Sequence, residues 1–440
     1  MATPSPSVAT QERTLGASEI LVHYLARHMV RLIEFDGPVQ PELLKQAAER
    51  QVALRPMLRS RIVQPDPAQR PHFVLESELP PTFTVHERRG PGHCVEVFNQ
   101  ELNTPYDMST DAVVRIHLLK NPDQGGEIIL TCPHSACDGR SLFQFCTQLL
   151  DDYEALVRGE VRDLGPAKVS LNPSVEDVLP EELNARGEQL VADLLAKESQ
   201  LPTILPWPSE RGDSDAPMET RLVPFDLDAE TVTRIRSNAR AQGTTMHGVL
   251  GAAATLAADD VIKPPTDAHI GLTTTIDLRG NLAQPIPTED LGIYAATLST
   301  RHPDVKGMSR WHLARDVKQQ VTDGMARDDH YTFVYIGELY VENTTSDDAP
   351  PMMTIALANL GALSLETGQS SLGLRSLRGA LNLHPSTWPF ISLNAVGING
   401  RLAMTAVHQW PEISDAAANA YVSAMLSYLN WFADNPVDGG

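Results

Sequence analysis

The residues best equipped for chemistry lie in one short segment, Pro133-His134-Ser135-Ala136-Cys137-Asp138-Gly139. An imidazole titrates near neutrality, so His134 can take a proton from an alcohol or amine as that group attacks a thioester. A base placed for this contributes on the order of 10²–10⁴-fold to the rate. Asp138, four residues on, has two available roles. It can orient the imidazole, as in a Ser-His-Asp triad, or it can turn away and pair with a distant arginine that holds the loop in shape. The spacing does not choose between them, and a bare His-x-x-x-Asp is uninformative. Context adds weight. An apolar run, Glu127 to Cys132, precedes the segment and a helical pattern follows it, while Pro133 and Gly139 interrupt regular structure on either side. Catalytic side chains commonly occupy loops held between rigid elements.

The elements that must position this loop are legible in outline. Glu127 to Cys132 reads as a strand apolar on both faces. Val113 to Leu119 reads as its neighbour. Ser141 to Leu156 is amphipathic at three- and four-residue steps, with Leu142, Phe145, Leu149, Tyr153 and Leu156 on one face. Ser18 to His28 and Gln40 to Val52 have helical spacing, and Met29 to Phe35 alternates like a strand. Residues 160–217 carry many prolines, mixed charge and one helical patch near Glu182 to Glu198. They read as a crossover. A second half follows. Strands are expected at Glu219 to Phe225, His269 to Ile276, Phe333 to Tyr340, Leu381 to Leu383, Ile391 to Ile398 and Arg401 to Val407. Helices are expected at Ala229 to Gln242, Met246 to Ala258, Trp311 to Met325 and Ala416 to Trp431. Asn399-Gly400 is a strong hairpin turn. The expected divisions are a disordered terminus (1–15), a first lobe (16–165), a crossover linker (166–217) and a second lobe (218–440). Strands and helices mix in both halves, which predicts an α/β chain with mixed sheets.

Composition narrows the function. Hydrophobic residues make up 42% and charged residues 21% of the 440, a globular composition. Lys and Arg number 35 against 56 Asp and Glu, a formal charge of −21 that disfavours nucleic acid and anionic membranes as partners. No apolar stretch is long enough to span a bilayer and the first residues lack a signal core, so a cytoplasmic location is expected. The four cysteines (94, 132, 137 and 146) form no C-x-x-C pair and read as free thiols. No metal site and no Gly-rich phosphate loop for a nucleotide cofactor is apparent.

The motif resembles the His-x-x-x-Asp-Gly signature of the chloramphenicol-acetyltransferase-like superfamily. That group includes nonribosomal peptide condensation domains and stand-alone polyketide-associated acyltransferases of the phthiocerol diacyltransferase type. Further segments carry the resemblance in order: Thr104-Pro105-Tyr106-Asp107, Gly243-Thr244-Thr245-Met246-His247-Gly248, Asp277-Leu278-Arg279-Gly280-Asn281 with Leu291-Gly292, and Ala358-Asn359-Leu360-Gly361. Condensation domains usually place two histidines together; here the first position is Pro133, which favours a stand-alone transferase. The Asp-Phe-Gly-Trp-Gly segment of the plant enzymes is absent.

The resemblance implies two lobes in a V with a tunnel between them. It implies an acyl donor that is a coenzyme A or phosphopantetheine thioester, the latter on an acyl carrier protein, and a small alcohol or amine as acceptor. No permanently bound cofactor and a monomer are implied. His134 is the implied base. Asp138 and Gly139 are implied to shape the loop, with Arg279 as the bidentate partner of Asp138 across the lobes. Two other uses of the fold compete: a docking module without catalysis, and a tunnel turned to another reaction on a polyketide. His247, Thr273, Thr275 and Trp388 are candidate substrate-binding residues, although each has an ordinary reading as a core or strand residue. Arg55, Arg59 and Arg61 are either phosphate contacts or a solvated strand edge.

Overall fold

In the computed structural model, the run that ends at His134 is a strand, Gly126–Pro133, with every residue buried. The physical reason is that it lies near the middle of a five-stranded sheet with helices against it. Its antiparallel neighbours are His28–Phe35 on one side and Arg115–Lys120 on the other. Thr82–Glu87 runs parallel to Arg115–Lys120 and forms one edge of the sheet. The other edge is Leu374–Leu381, antiparallel to His28–Phe35. The structure describes all residues except 1–10, 91, 122–124, 213, 266–267, 288, 344–350, 364–370, 384–387 and 438–440.

The helix after the motif, Gly139–Val157, buries Leu142, Phe145, Leu149 and Tyr153 on this sheet. Pro41–Ala53 packs beside it. Together they close a core that includes Ile33, Phe35, Ile128 and Leu130. Burying each large apolar side chain in such a core contributes about 1.5–3 kcal/mol.

The second lobe is a six-stranded mixed sheet. It runs in the order Ala295–His302, Ile270–Asp277, Ile355–Leu363, Ile391–Ile398, Arg401–Trp410 and Glu219–Leu227. Ile355–Leu363 is parallel to both of its neighbours, and the remaining pairs are antiparallel. The helices Met246–Ile262, Arg310–Ala326 and Asp415–Asp434 contribute to its core. The Asn399-Gly400 hairpin forms as expected, with Ile398 opposite Arg401 and both turn residues at positive φ. A small antiparallel sheet of Glu12–Thr14, His72–Leu75 and Ser60–Val63 completes the set.

Several expectations need correction. Phe333 to Tyr340 was expected as a strand; the segment lies in a helix, Thr332–Asn343. That helix packs against both Ala17–Tyr24 and Gly187–Glu198, so it has no single apolar stripe to betray its period. The terminus expected to be disordered as far as residue 15 instead forms the strand Glu12–Thr14. The crossover holds the expected helical patch, as Gly187–Glu198, and two short helices before it that were not expected, Val175–Val178 and Glu181–Asn184. Leu381 to Leu383 is not a strand of its own. The strand is Leu374–Leu381, and it belongs to the sheet of the first lobe although it lies deep in the second half of the chain.

Candidate active site

The motif loop is fastened at both ends. The His134 amide donates to the Arg27 carbonyl at 2.8 Å, and the Asp138 amide donates to the Gly292 carbonyl at 2.9 Å. Between them the Ala136 amide returns to the Pro133 carbonyl at 3.2 Å, and the Cys137 amide to the His134 carbonyl at 3.3 Å. These bonds fold the loop into a tight turn that carries the partly buried His134 ring.

His134 Nδ1 lies 3.0 Å from the Cys137 carbonyl oxygen. A carbonyl can only accept, so Nδ1 carries the proton. In the neutral ring the lone pair is then on Nε2, which has no hydrogen-bond partner among the described residues. Burial lowers the pKa of His134 below the ordinary imidazole value, against the opposing pull of the Asp138 charge and the Cys137 carbonyl. The ring is therefore neutral, tautomerically fixed and basic at Nε2.

Asp138 does not touch the imidazole. Its Oδ1 accepts from the Ser141 amide at 2.7 Å, which makes it the N-cap of Gly139–Val157. Its Oδ2 accepts from Arg279 Nη2 and from the Tyr294 amide, both at 2.9 Å. Asp138 is 1% exposed, so this saturation is what makes its burial tolerable. Arg279 is brought to Asp138, but the pair is not bidentate. Nη2 is shared between Asp138 and Ser141 Oγ, the latter at 2.7 Å, while Nη1 binds Asp277 at 2.9 Å. The guanidinium lies 5.2 Å from the centre of the Tyr294 ring. Burial works against its charge, but Asp138 and Asp277 outweigh that and leave its pKa raised.

Sequence reasoning missed Ser141, Tyr294 and Asn172. Ser141 Oγ bridges Arg279 and the Gly292 carbonyl; Asn172 Nδ2 donates to the Leu291 carbonyl at 2.6 Å. These bonds stitch the motif loop and the crossover to the Arg279–Tyr294 segment. The signal for Ser141 was its place three residues after a capping Asp.

Among the described residues, no hydrogen bond joins His247, Thr273 or Thr275 to His134. His247 Nε2 lies 3.1 Å from Thr274 Oγ1, and burial pushes its pKa down to about 4. Thr273 is buried and pairs with Ser299 Oγ at 2.8 Å, whereas Thr275, two residues on, is exposed. Trp388 is 6% exposed and packs in a core cluster with Val30, Phe98 and Phe390. Arg55 and Arg59 are buried rather than solvated. They donate to Gln51, Gln148 and backbone carbonyls, while the partly buried Arg61 pairs with Glu76. The four cysteines are free and buried, with Cys132 and Cys137 sulfurs 3.5 Å apart. Among the described residues no cluster suits a metal ion, and no helix is long and apolar enough to cross a membrane.

This architecture is shared with solved proteins. The polyketide synthase associated protein 5 of Mycobacterium tuberculosis superposes with a TM-score of 0.71 at 17% identity, covering 96% of this chain and 98% of that one. The TRI3 trichothecene 15-O-acetyltransferase of Fusarium sporotrichioides gives 0.75 at 12% identity, covering 98% and 97%. The chain has the chloramphenicol-acetyltransferase-like fold. Within that fold, residues 216–407 match the family described as the phthiocerol/phthiodiolone dimycocerosyl transferase C-terminus. A phosphinothricin tripeptide synthetase of Streptomyces viridochromogenes is 26% identical over 337 residues, 71% of this chain and 26% of that protein. The chain spans between 2% and 26% of the length of the curated relatives it matches.

Proposed function

We propose that this protein transfers an acyl group from a thioester of coenzyme A or of a carrier protein to a hydroxyl or amine, in the biosynthesis of a polyketide or related natural product. The observation that carries the proposal is the fixed tautomer of His134. Its Nδ1–H is committed to the Cys137 carbonyl, which leaves Nε2 as a neutral base. Nε2 takes the proton from the acceptor as its oxygen or nitrogen attacks the thioester carbonyl. The tetrahedral intermediate then collapses, and the proton passes from the imidazolium to the departing thiolate sulfur. Asp138 and Arg279 position the loop through the contacts described and take no part in proton transfer. The match of residues 216–407 to the dimycocerosyl transferase family and the fold shared with a trichothecene acetyltransferase support this reading.

The test is product formation and thiol release. Acyl-CoA and acyl-carrier donors are offered with a panel of alcohols and amines to wild type and to His134→Ala. Transfer that disappears in the variant supports the proposal. Absence of transfer with every donor, or transfer that survives the substitution, points instead to a non-catalytic docking role.

A further inference from the structure

Arg31 is a buried cation beside the motif with no acid to neutralise it. It lies on His28–Phe35 in the same inward parity as Met29, Ile33 and Phe35, which belong to the apolar core. It is 4% exposed. Its Nη2 donates to the Gly139 carbonyl at 3.2 Å and approaches the Met29 sulfur at 3.9 Å. Its Nε is buried without an acceptor, and Nη1 has no partner among the described residues. Asp138, whose charge reaches it, has its own oxygens occupied by Ser141, Arg279 and Tyr294.

The surroundings are built to accept this guanidinium. A Cβ at Gly379, the cross-strand partner of Arg31, would stand 1.9 Å from Nη1. A Cβ on Gly139 would stand 3.3 Å from Nη2 and 3.5 Å from Leu360. The charge thus sits where the start of the motif helix, the edge strand of the first lobe and the Ile355–Leu363 strand of the second lobe converge. It is close enough to His134 to add to the lowering of the imidazole pKa. A buried charge without a counter-ion is strongly unfavourable. An unsatisfied buried group of this kind calls for a partner, and a ligand of opposite charge would supply one.

We propose that Arg31 recognises a carboxylate on the acyl group or the acceptor, so that the natural substrate of this site is an acid. The assignment rests on the acyl-transfer reading for its place in catalysis, but the binding of a carboxylate does not require turnover. Arg31 is then a specificity residue: it holds the substrate by its acid group while His134 acts on the acceptor.

Thermal denaturation of the full chain tests this, with malonate or succinate as probe. Potassium chloride at matched ionic strength and neutral malonamide are the controls. Wild type is expected to gain stability with the dicarboxylate beyond the chloride control. Arg31→Met, of similar length and uncharged, is expected to fold at least as stably as wild type without ligand, because an unpaired buried charge has been removed. It should lose the response, with dicarboxylate affinity falling about 10–100-fold. Arg31→Lys keeps charge without the fork and should respond weakly. An equal dicarboxylate response in wild type and Arg31→Met, or none in wild type, overturns the proposal. So does an Arg31→Met protein that is markedly less stable without ligand, since that would mark a structural role. A dicarboxylate response in a protein that transfers no acyl group would keep the anion site and overturn only the acyl-transfer reading.

Discussion

The two ends of the motif loop are held by opposite strategies. At Asp138 every lone-pair direction in use is met: the Ser141 and Tyr294 amides and Arg279 all donate to it, and its own amide is taken by Gly292. At His134, only four residues earlier, the ring is anchored through one nitrogen and the other is left without a partner among the described residues. The backbone of the loop is equally well fastened at both positions, so the difference lies in the side chains. A group that shapes a site is one whose bonding capacity is exhausted by the protein. On the acyl-transfer reading, the group that reacts keeps a lone pair for the substrate.

The sharpest way to break this comparison is to exchange effects between the ends. His134→Ala should reduce turnover by ~10²–10⁴-fold while leaving the thermal midpoint almost unchanged; a variant that unfolds at much lower temperature would put His134 among the structural residues. Asp138→Ala should do the reverse. It leaves the half-buried Arg279 with Asp277 but without its second carboxylate, removes a helix cap, and should lower unfolding free energy by about 1–3 kcal/mol in denaturant titrations. An Asp138→Ala protein of normal stability that is merely slow would show the aspartate working on the imidazole after all. Arg279→Lys retains a charge but cannot reach Asp138, Ser141 and Asp277 together. A loss of about 1–2 kcal/mol is expected by the same titration, with KM little affected.

The pH response sharpens the contrast further. The folded pKa of His134 lies below the ordinary imidazole value, so kcat/KM should stay level as pH falls through 6.5 and decline only in more acid solution. A midpoint at or above 6.5 would contradict the buried neutral base. Stability follows the same sign. His28 and His247 are each held down to about 4 in the folded state, mainly by burial. The unfolded chain therefore binds more protons than the folded one between about 4 and 6.5. Their contribution is complete above that window and is lost as pH falls through it.

The parts of this site that were legible in the sequence are those written in local pattern. The apolar strand, the interruption at Pro133 and Gly139, and the amphipathic helix together marked the loop. Asp138 could not be resolved between two roles from spacing, because its partners Arg279 and Tyr294 lie about 140 and 156 residues away in the chain. The bidentate geometry expected of Arg279 failed because Asp277, two residues before it, competes for the second guanidinium nitrogen. Arg31 has a trace in the sequence: in the alternation of Met29, Arg31, Ile33 and Phe35 a charge occupies a core-facing position. The helix Thr332–Asn343 was misread because burial from two sides erased its period. Arg55 and Arg59 were misread because their acceptors are carbonyls and amides, which no charge pattern announces.

The strand Leu374–Leu381 has a consequence for how the molecule comes into being. The first lobe contains His134 and most of the core beneath it, yet its sheet lacks an edge until residue 381 has been made. A ribosome that has finished residue 217 has released a lobe with His28–Phe35 unpaired along one side. The ladder facing Leu374–Leu381 and the cover over Arg31 at Gly379 are both missing at that stage. Maturation of the site therefore waits on the far end of the chain. Fragments cut at the crossover should regain it only when both pieces are present together.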